Sequence, residues 1–317
     1  MNKIFLVVLF VMVCAHARAQ LAKPCEQLKV QGTDLVDTKG NHVALHGMSL
    51  GWHNWWPRFY NAGAVHELVN KWHATVIRAA MGVEPQGGYL KDPEGSVKLM
   101  KEVINACIKE NAYVIIDWHD HNIHLNESKL FFERMAKEYG KYPNVIYEIY
   151  YEPDHESWAE VKAYSEEVIK TIRSQDPDNI ILVGSPHWDQ DINLPAADPI
   201  KGYDNLMYTM HFYAGTHKKW LRDRTDEAIA KGLPIFVSEC AGMEASGDGP
   251  IDIAESKNYF DWMEAKGLSW AVWSVSDKNE SCSVLKPSAA SDGNWKKEDI
   301  KEWGKMAMEY LGKYKEK

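Results

Sequence analysis

Two glutamates stand in settings that suit proton transfer and attack on carbon. Glu152 lies in Tyr151-Glu152-Pro153 and Glu239 in Ser238-Glu239, each after a short apolar run. Other hydrogen-bonding and stacking side chains gather at the same place after similar runs. They are Arg78, Asp117-Trp118-His119-Asp120-His121, His187-Trp188, His211-Phe212-Tyr213 and the stretch from Trp273 to Lys278. A lone glutamate or histidine at such a position is usually a solvated charge or a structural donor, so the recurrence carries the weight. Two carboxyl groups facing one another are equipped for acetal hydrolysis. One, protonated, donates to the leaving oxygen, while the other, ionised, attacks the carbon. A separation of about 5 Å gives retention through a covalent intermediate. Arg78 nearby would keep one carboxylate ionised, while burial and like charge would hold the proton on its twin.

Such groups need a frame that brings strand ends together. Runs rich in Val and Ile recur over 43–50, 75–81, 113–117, 144–151, 179–184, 206–212, 234–238 and 269–274, alternating with helix-period segments. Among the latter are 96–110, 128–139, 157–174 and 253–266, where apolar residues return at three- and four-residue steps, as in Val97, Met100, Val103, Ile104 and Cys107. Ser157 with Glu160 reads as a capping box, and Gly140, Gly232 and Gly267 fall where helices should stop. Eight strand-helix units predict an α/β fold, a (β/α)8 TIM barrel, whose strand C-termini share one face. The alternative, an open doubly wound sheet, wants a glycine-rich phosphate turn that the chain lacks. Residues 29–43 read as a short N-terminal β-hairpin turning at Thr38-Lys39-Gly40-Asn41.

Lys3, the apolar run from Ile4 to Ala15 and Ala17-Arg18-Ala19 predict a signal peptide over 1–19. A single catalytic domain is then expected over 20–317, secreted and monomeric, with no membrane span. The 317 residues carry a formal net charge of -9 with no basic stripe, so nucleic acid is not an expected partner. Thirteen tryptophans exceed what a core needs, and their flat faces suit sugar rings. Cys25, Cys107, Cys240 and Cys282 show no metal-ligand spacing, so no metal is expected. In an oxidising compartment they allow three pairings. Cys25–Cys107 with Cys240–Cys282 is the preferred one, and free thiols are the alternative. Asn126 and Asn279 begin N-glycosylation patterns.

The segments Val76-Ile77-Arg78, Ile116-Asp117-Trp118-His119, Glu152-Pro153, Met210-His211-Phe212-Tyr213, Pro234 to Glu239 and Trp270 to Leu285 together resemble glycoside hydrolase family 5, in its bacterial-type endoglucanase branch. The resemblance covers essentially the whole chain after residue 19. It implies a retaining endo-β-1,4-glucanase without cofactor, acting on a β-glucan polysaccharide or cello-oligosaccharide, with Glu152 as acid/base and Glu239 as nucleophile. By the same resemblance Arg78, His119, His211 and Tyr213 surround the sugar at the cleavage point and Trp273 stacks beneath it. Lys278 and Glu280 bind the next sugar, Trp188 lines the leaving-group side, and Trp55 or Trp56 floors the distal end. A hemicellulase acting on mannan, xylan or xyloglucan would use the same two glutamates.

The chain departs from the family pattern at two places. Tyr151 stands where the family has an asparagine that donates to the sugar 2-hydroxyl, a transition-state contact. Tyrosine there predicts reduced or redirected activity, or a glucan-binding protein without turnover. Cys240-Ala241 follows the nucleophile, where the family often has an aromatic and a glycine.

Overall fold

The computed structural model describes residues 25–314, so the signal-peptide segment lies outside the described residues. The chain opens with β1 (Lys29–Gln31) and β2 (Asp34–Val36), an antiparallel pair joined at Gly32, whose φ of 66° suits glycine. The hairpin is therefore shorter than predicted. The Thr38-Lys39-Gly40-Asn41 turn does form, stitched by Asp37 Oδ1 accepting the Lys39 and Asn41 N–H groups at 2.8 and 2.9 Å, but it closes only a single bridge between Val36 and His42.

Eight parallel strands follow: β3 (His46–Leu50), β4 (Val76–Gly82), β5 (Tyr113–His119), β6 (Val145–Glu148), β7 (Ile180–Val183), β8 (Leu206–Tyr213), β9 (Ile235–Ala241) and β10 (Trp270–Val275). They pair in sequence order and close β10 against β3, the predicted barrel. Helices pack outside: α1 (Ala62–Asn70), α2 (Pro93–Glu110), α3 (Leu125–Tyr139), α4 (Trp158–Arg173), α5 (Pro186–Asp189), α6 (Asn193–Ala197), α7 (Lys219–Ala230), α8 (Ile253–Lys266) and α9 (Glu302–Tyr314). Local chemistry sets their ends. Asp92 caps α2, Ser157 and Glu160 form the predicted capping box on α4, and Gly267 ends α8 in the left-handed region.

Side chains alternate along a strand, so every second residue enters the barrel. At the N-terminal end these are apolar: Val76, Ile115, Ile146, Leu182, Met207 and Phe236 cluster with Leu28 and Leu35 of the hairpin, which plugs that end. Two residues further along, the same faces carry Arg78, Asp117, Glu148, Thr209 and Ser238, all fully buried. The interior thus changes from oil to charge within one step of the pleat.

Neither expected disulfide forms. All four cysteines are free, and three of the thiols are engaged elsewhere. Cys25 Sγ donates to the Asn111 carbonyl at 3.3 Å, Cys240 Sγ to the Ala271 carbonyl at 3.4 Å, and Cys282 Sγ to Glu280 Oε1 at 3.2 Å. Cys107 is buried in the layer between strands and helices. No helix among the described residues is long and apolar enough to cross a membrane.

Candidate active site

Arg78 on β4 organises the charged layer. Its Nε and Nη2 reach the two oxygens of Glu148 at 2.7 and 3.2 Å. Its Nη2 also meets Asp117 Oδ2 at 3.0 Å, and its Nη1 meets Glu239 Oε2 at 2.9 Å. Burial works against this guanidinium, but Asp117, Glu148 and Glu239 outweigh it and hold the charge. Burial also works against the Glu148 anion, yet Arg78 and His211 hold its carboxyl at about 2. Asp117 moves the other way: burial, opposed by Arg78, pushes its carboxyl well up.

Glu239 and Glu152 come to the barrel mouth from opposite sides. A carboxylate oxygen of each and a ring nitrogen of His211 all lie within 4.8 Å of one another, in the range where carboxyl pairs react with retention. Tyr213 Oη–H donates to Glu239 Oε1 at 2.7 Å, so with Arg78 this carboxylate receives two donors. Burial and the neighbouring Glu152 push the Glu239 carboxyl up, while Arg78, His211 and Tyr213 draw it back. The two groups resist being ionised together, and the double donation favours Glu239 as the anion.

His211 Nδ1 meets Glu152 Oε1 at 3.0 Å. Its Nε2–H donates to Ser238 Oγ at 2.8 Å, and Ser238 Oγ–H in turn donates to Glu148 Oε1 at 2.8 Å. Burial disfavours charge on this ring, but Asp189, Glu148 and Glu152 overcome it and keep the imidazole protonated. Asp189 is a buried carboxyl that burial pushes up to about 7. His119 is the opposite case, kept neutral by burial and by Arg78. Its Nδ1 bonds Asp117 Oδ2 at 2.7 Å, while its buried Nε2 has no partner.

Tyr151 lies over this floor. Its ring stacks on His119 with centroids 3.5 Å apart and planes 18° from parallel, and it stands edge-on to Trp52 at 6.2 Å. Arg78 Cζ is 5.4 Å from its centroid and the His211 ring 5.7 Å. His119 and Glu239 are fully shielded from solvent, and Glu152 is 9% exposed. Trp273 runs parallel to His119 at 5.4 Å.

The remaining predicted residues form the rim. Lys278 Nζ pairs with Glu280 Oε2 at 2.5 Å, and Trp188 is 40% exposed beside the exit of Glu152. Trp55 is half exposed and stacks on Trp52 at 4.7 Å. Trp52, Glu148, Asp189 and Ser238 belong to the site although no role is predicted for them from sequence. A charged residue inside the apolar run Val145-Ile146-Tyr147-Glu148-Ile149 was the available signal for Glu148. Among the described residues, two clusters bring ligand atoms close enough for a cation: Glu152–His211–Glu239 and Glu84–Asp120–His124. In both, the groups already have partners: His211 meets Glu152 while Glu239 meets Arg78 and Tyr213, and His124 meets Asp120 at 2.6 Å and Glu84 at 3.3 Å.

Residues 36–279 match the family described as Cellulase (glycosyl hydrolase family 5). The chain is 41% identical over 293 residues to an endoglucanase of Clostridium saccharobutylicum, covering 90% of this chain and 65% of that protein. It is 42% identical over 280 residues to endoglucanase A of Evansella cellulosilytica, covering 86% and 57%. The chain therefore spans only about three fifths of the length of these relatives. A solved structure from Cytophaga hutchinsonii superposes with a TM-score of 0.90 at 40% identity, covering 91% of this chain and 95% of that one. The catalytic domain of a Thermobifida fusca endoglucanase, solved in complex with cellotetraose, does so at 0.86 and 33% identity, covering 91% and 98%. With the barrel, the carboxyl pair and these matches in agreement, the chain belongs to the cellulase family of glycosyl hydrolases, family 5.

Proposed function

We propose that this protein is a retaining endo-β-1,4-glucanase whose turnover is slowed by Tyr151. The observation that carries the reading is the Glu152–Glu239 pair, with oxygens inside 4.8 Å. Glu239, held as an anion by Arg78 and Tyr213, attacks the anomeric carbon. Glu152 gives its proton to the departing glycosidic oxygen, then takes one from the water that releases the covalent glycosyl-enzyme. Both relatives are named as endoglucanases, which supports a β-1,4-glucan as substrate. The exposed Trp55 and Trp188 at either side of the mouth suit a chain that runs through the site.

A second reading, glucan binding without turnover, is favoured by one observation: Tyr151 stacks over His119, and Glu239 is closed to solvent. Reducing-end release from carboxymethyl cellulose decides between them. The glucanase reading expects release by the wild type and none by Glu239→Gln. Measurable cello-oligosaccharide binding with no release by either protein would establish the second. Action on a polymer fits export after residue 19, which N-terminal sequencing of protein recovered from the medium would test.

A further inference from the structure

The backbone beside the carboxyl pair is contorted in two places that touch. Glu152 has a φ of 43°, and His187, Trp188 and Asp189 have φ of 58°, 55° and 58°. Four non-glycine residues thus occupy the left-handed region, where each costs energy unless its surroundings hold it. One side chain holds both places. Asp189 is fully buried, its Oδ1 accepts the Ser185 N–H at 2.6 Å, and its Oδ2 accepts the Glu152 N–H at 3.1 Å. The Trp188 N–H donates to the Pro153 carbonyl at 3.0 Å, which ties the loop to the chain leaving Glu152 a second time. Asp189 Oδ2 is also 3.4 Å from His211 Nδ1, the nitrogen that meets Glu152 Oε1 at 3.0 Å. A single carboxylate therefore touches the main chain of Glu152 and the ring that fixes its side chain.

We propose that Asp189 is a positioning residue for the proton donor, setting Glu152 and the Trp188 loop as one unit. This rests on the reading of Glu152 as acid/base. Both oxygens of Asp189 face backbone N–H groups. Asparagine would present one acceptor and one NH2 group to those two donors, so one of the bonds is lost whichever way the amide turns. Proton transfer needs heavy atoms within about 2.6–3.2 Å, and a misplacement of about 1 Å can cost a hundredfold in rate.

The test exploits leaving-group chemistry. Dinitrophenolate departs from 2,4-dinitrophenyl β-cellobioside without a proton, whereas phenol leaves phenyl β-cellobioside only when protonated. In Asp189→Asn, kcat/KM should fall roughly tenfold or more on the phenyl substrate and less than about threefold on the dinitrophenyl one. Activity on the dinitrophenyl substrate also reports an intact fold. Equal losses on both substrates would make Asp189 a purely structural residue, and no loss on either would leave it without a role; each overturns the proposal. Glu152→Gln is the reference and should separate the two substrates more widely. If it does not, the acid assignment itself falls, and the positioning role with it.

Discussion

Replacing Tyr151 with asparagine tests whether its ring blocks the cleavage position. The ring lies face to face with His119 at 3.5 Å and edge-on to Trp52 at 6.2 Å. A sugar that takes the place over His119 must first displace this ring. Aromatic pairs of these kinds are worth about 0.5–1.5 kcal/mol each. Leaving both costs about 1–3 kcal/mol, or roughly 5- to 150-fold in kcat/KM. Tyr151→Asn removes that cost and adds a short amide, Tyr151→Ala removes the cost alone, and Tyr151→Phe keeps it. On cellotetraose, kcat/KM should therefore rise in the Asn and Ala variants, with Asn at least equal to Ala, and stay near wild type in Phe. Cellotetraose binding by the matching Glu239→Gln double variants, measured by calorimetry, should tighten by a similar factor. Asn and Ala variants no faster than wild type, with unchanged binding, would refute the argument that the ring obstructs the site.

Two more outcomes follow from single side chains. His53 accepts the Gly82 N–H on Nδ1 at 3.0 Å and bonds Ser96 Oγ through Nε2 at 2.8 Å, and burial, opposed by Asp92, lowers its pKa to about 4. A histidine ordinarily near 6.5 and held neutral in the fold contributes stability that is present above pH 6.5. That stability is lost as pH falls towards 4, about 3 kcal/mol in all. Urea unfolding of His53→Gln at pH 7 and pH 4 should show a smaller loss than wild type, and an identical loss would contradict the assignment. Trp188→Ala should raise KM for cello-oligosaccharides by roughly 2- to 12-fold with no change in thermal stability, because a half-exposed ring gives affinity to a ligand and little to the fold. A fall in melting temperature with KM intact would reverse that view.

The barrel was legible because its signals are local. Alternating apolar runs and three- and four-residue helical steps need no tertiary knowledge, and α8 occupies 253–266 as its pattern predicts. The predicted strand over 144–151 stops instead at Glu148, after which the chain bends to bring Tyr151 and Glu152 over the mouth. Residues at strand exits could be read from their positions. Glu148 showed only as a charge inside an apolar run and Asp189 not at all, since each acquires its role only when barrel closure sets Arg78 or His211 beside it. Trp52 was hidden by two tryptophans nearby, and only the fold tells which of the three faces His119. Cysteine pairing failed for a related reason: it depends on the directions of Cβ vectors, which sequence spacing does not carry.

The charges of the layer explain how protons are distributed in it. Five carboxyls meet here, those of Asp117, Glu148, Glu152, Asp189 and Glu239, against the two cations Arg78 and His211. Buried charge of one sign cannot accumulate unpaired, so the excess must be met by protons. Burial pushes Asp117 and Asp189 up, Glu239 is raised too but is drawn back by Arg78, His211 and Tyr213, and Glu148 is held at about 2. The roles of Asp117 and Glu148 therefore differ although both touch Arg78. Asp117→Asn keeps an acceptor for Arg78 and His119 and turns its amide NH2 towards the place of Oδ1, which has no partner. It replaces a carboxyl that burial, opposed by Arg78, pushes towards its neutral form. Glu148→Gln removes the anion bound through both oxygens to Arg78 and leaves that guanidinium less compensated. Breaking such a buried pair costs about 3–5 kcal/mol, so chemical denaturation at pH 7 should find Glu148→Gln destabilised by about that amount and Asp117→Asn by about 1 kcal/mol or less. Equal losses would mean that Asp117 is ionised in the folded protein and that the excess protons sit elsewhere.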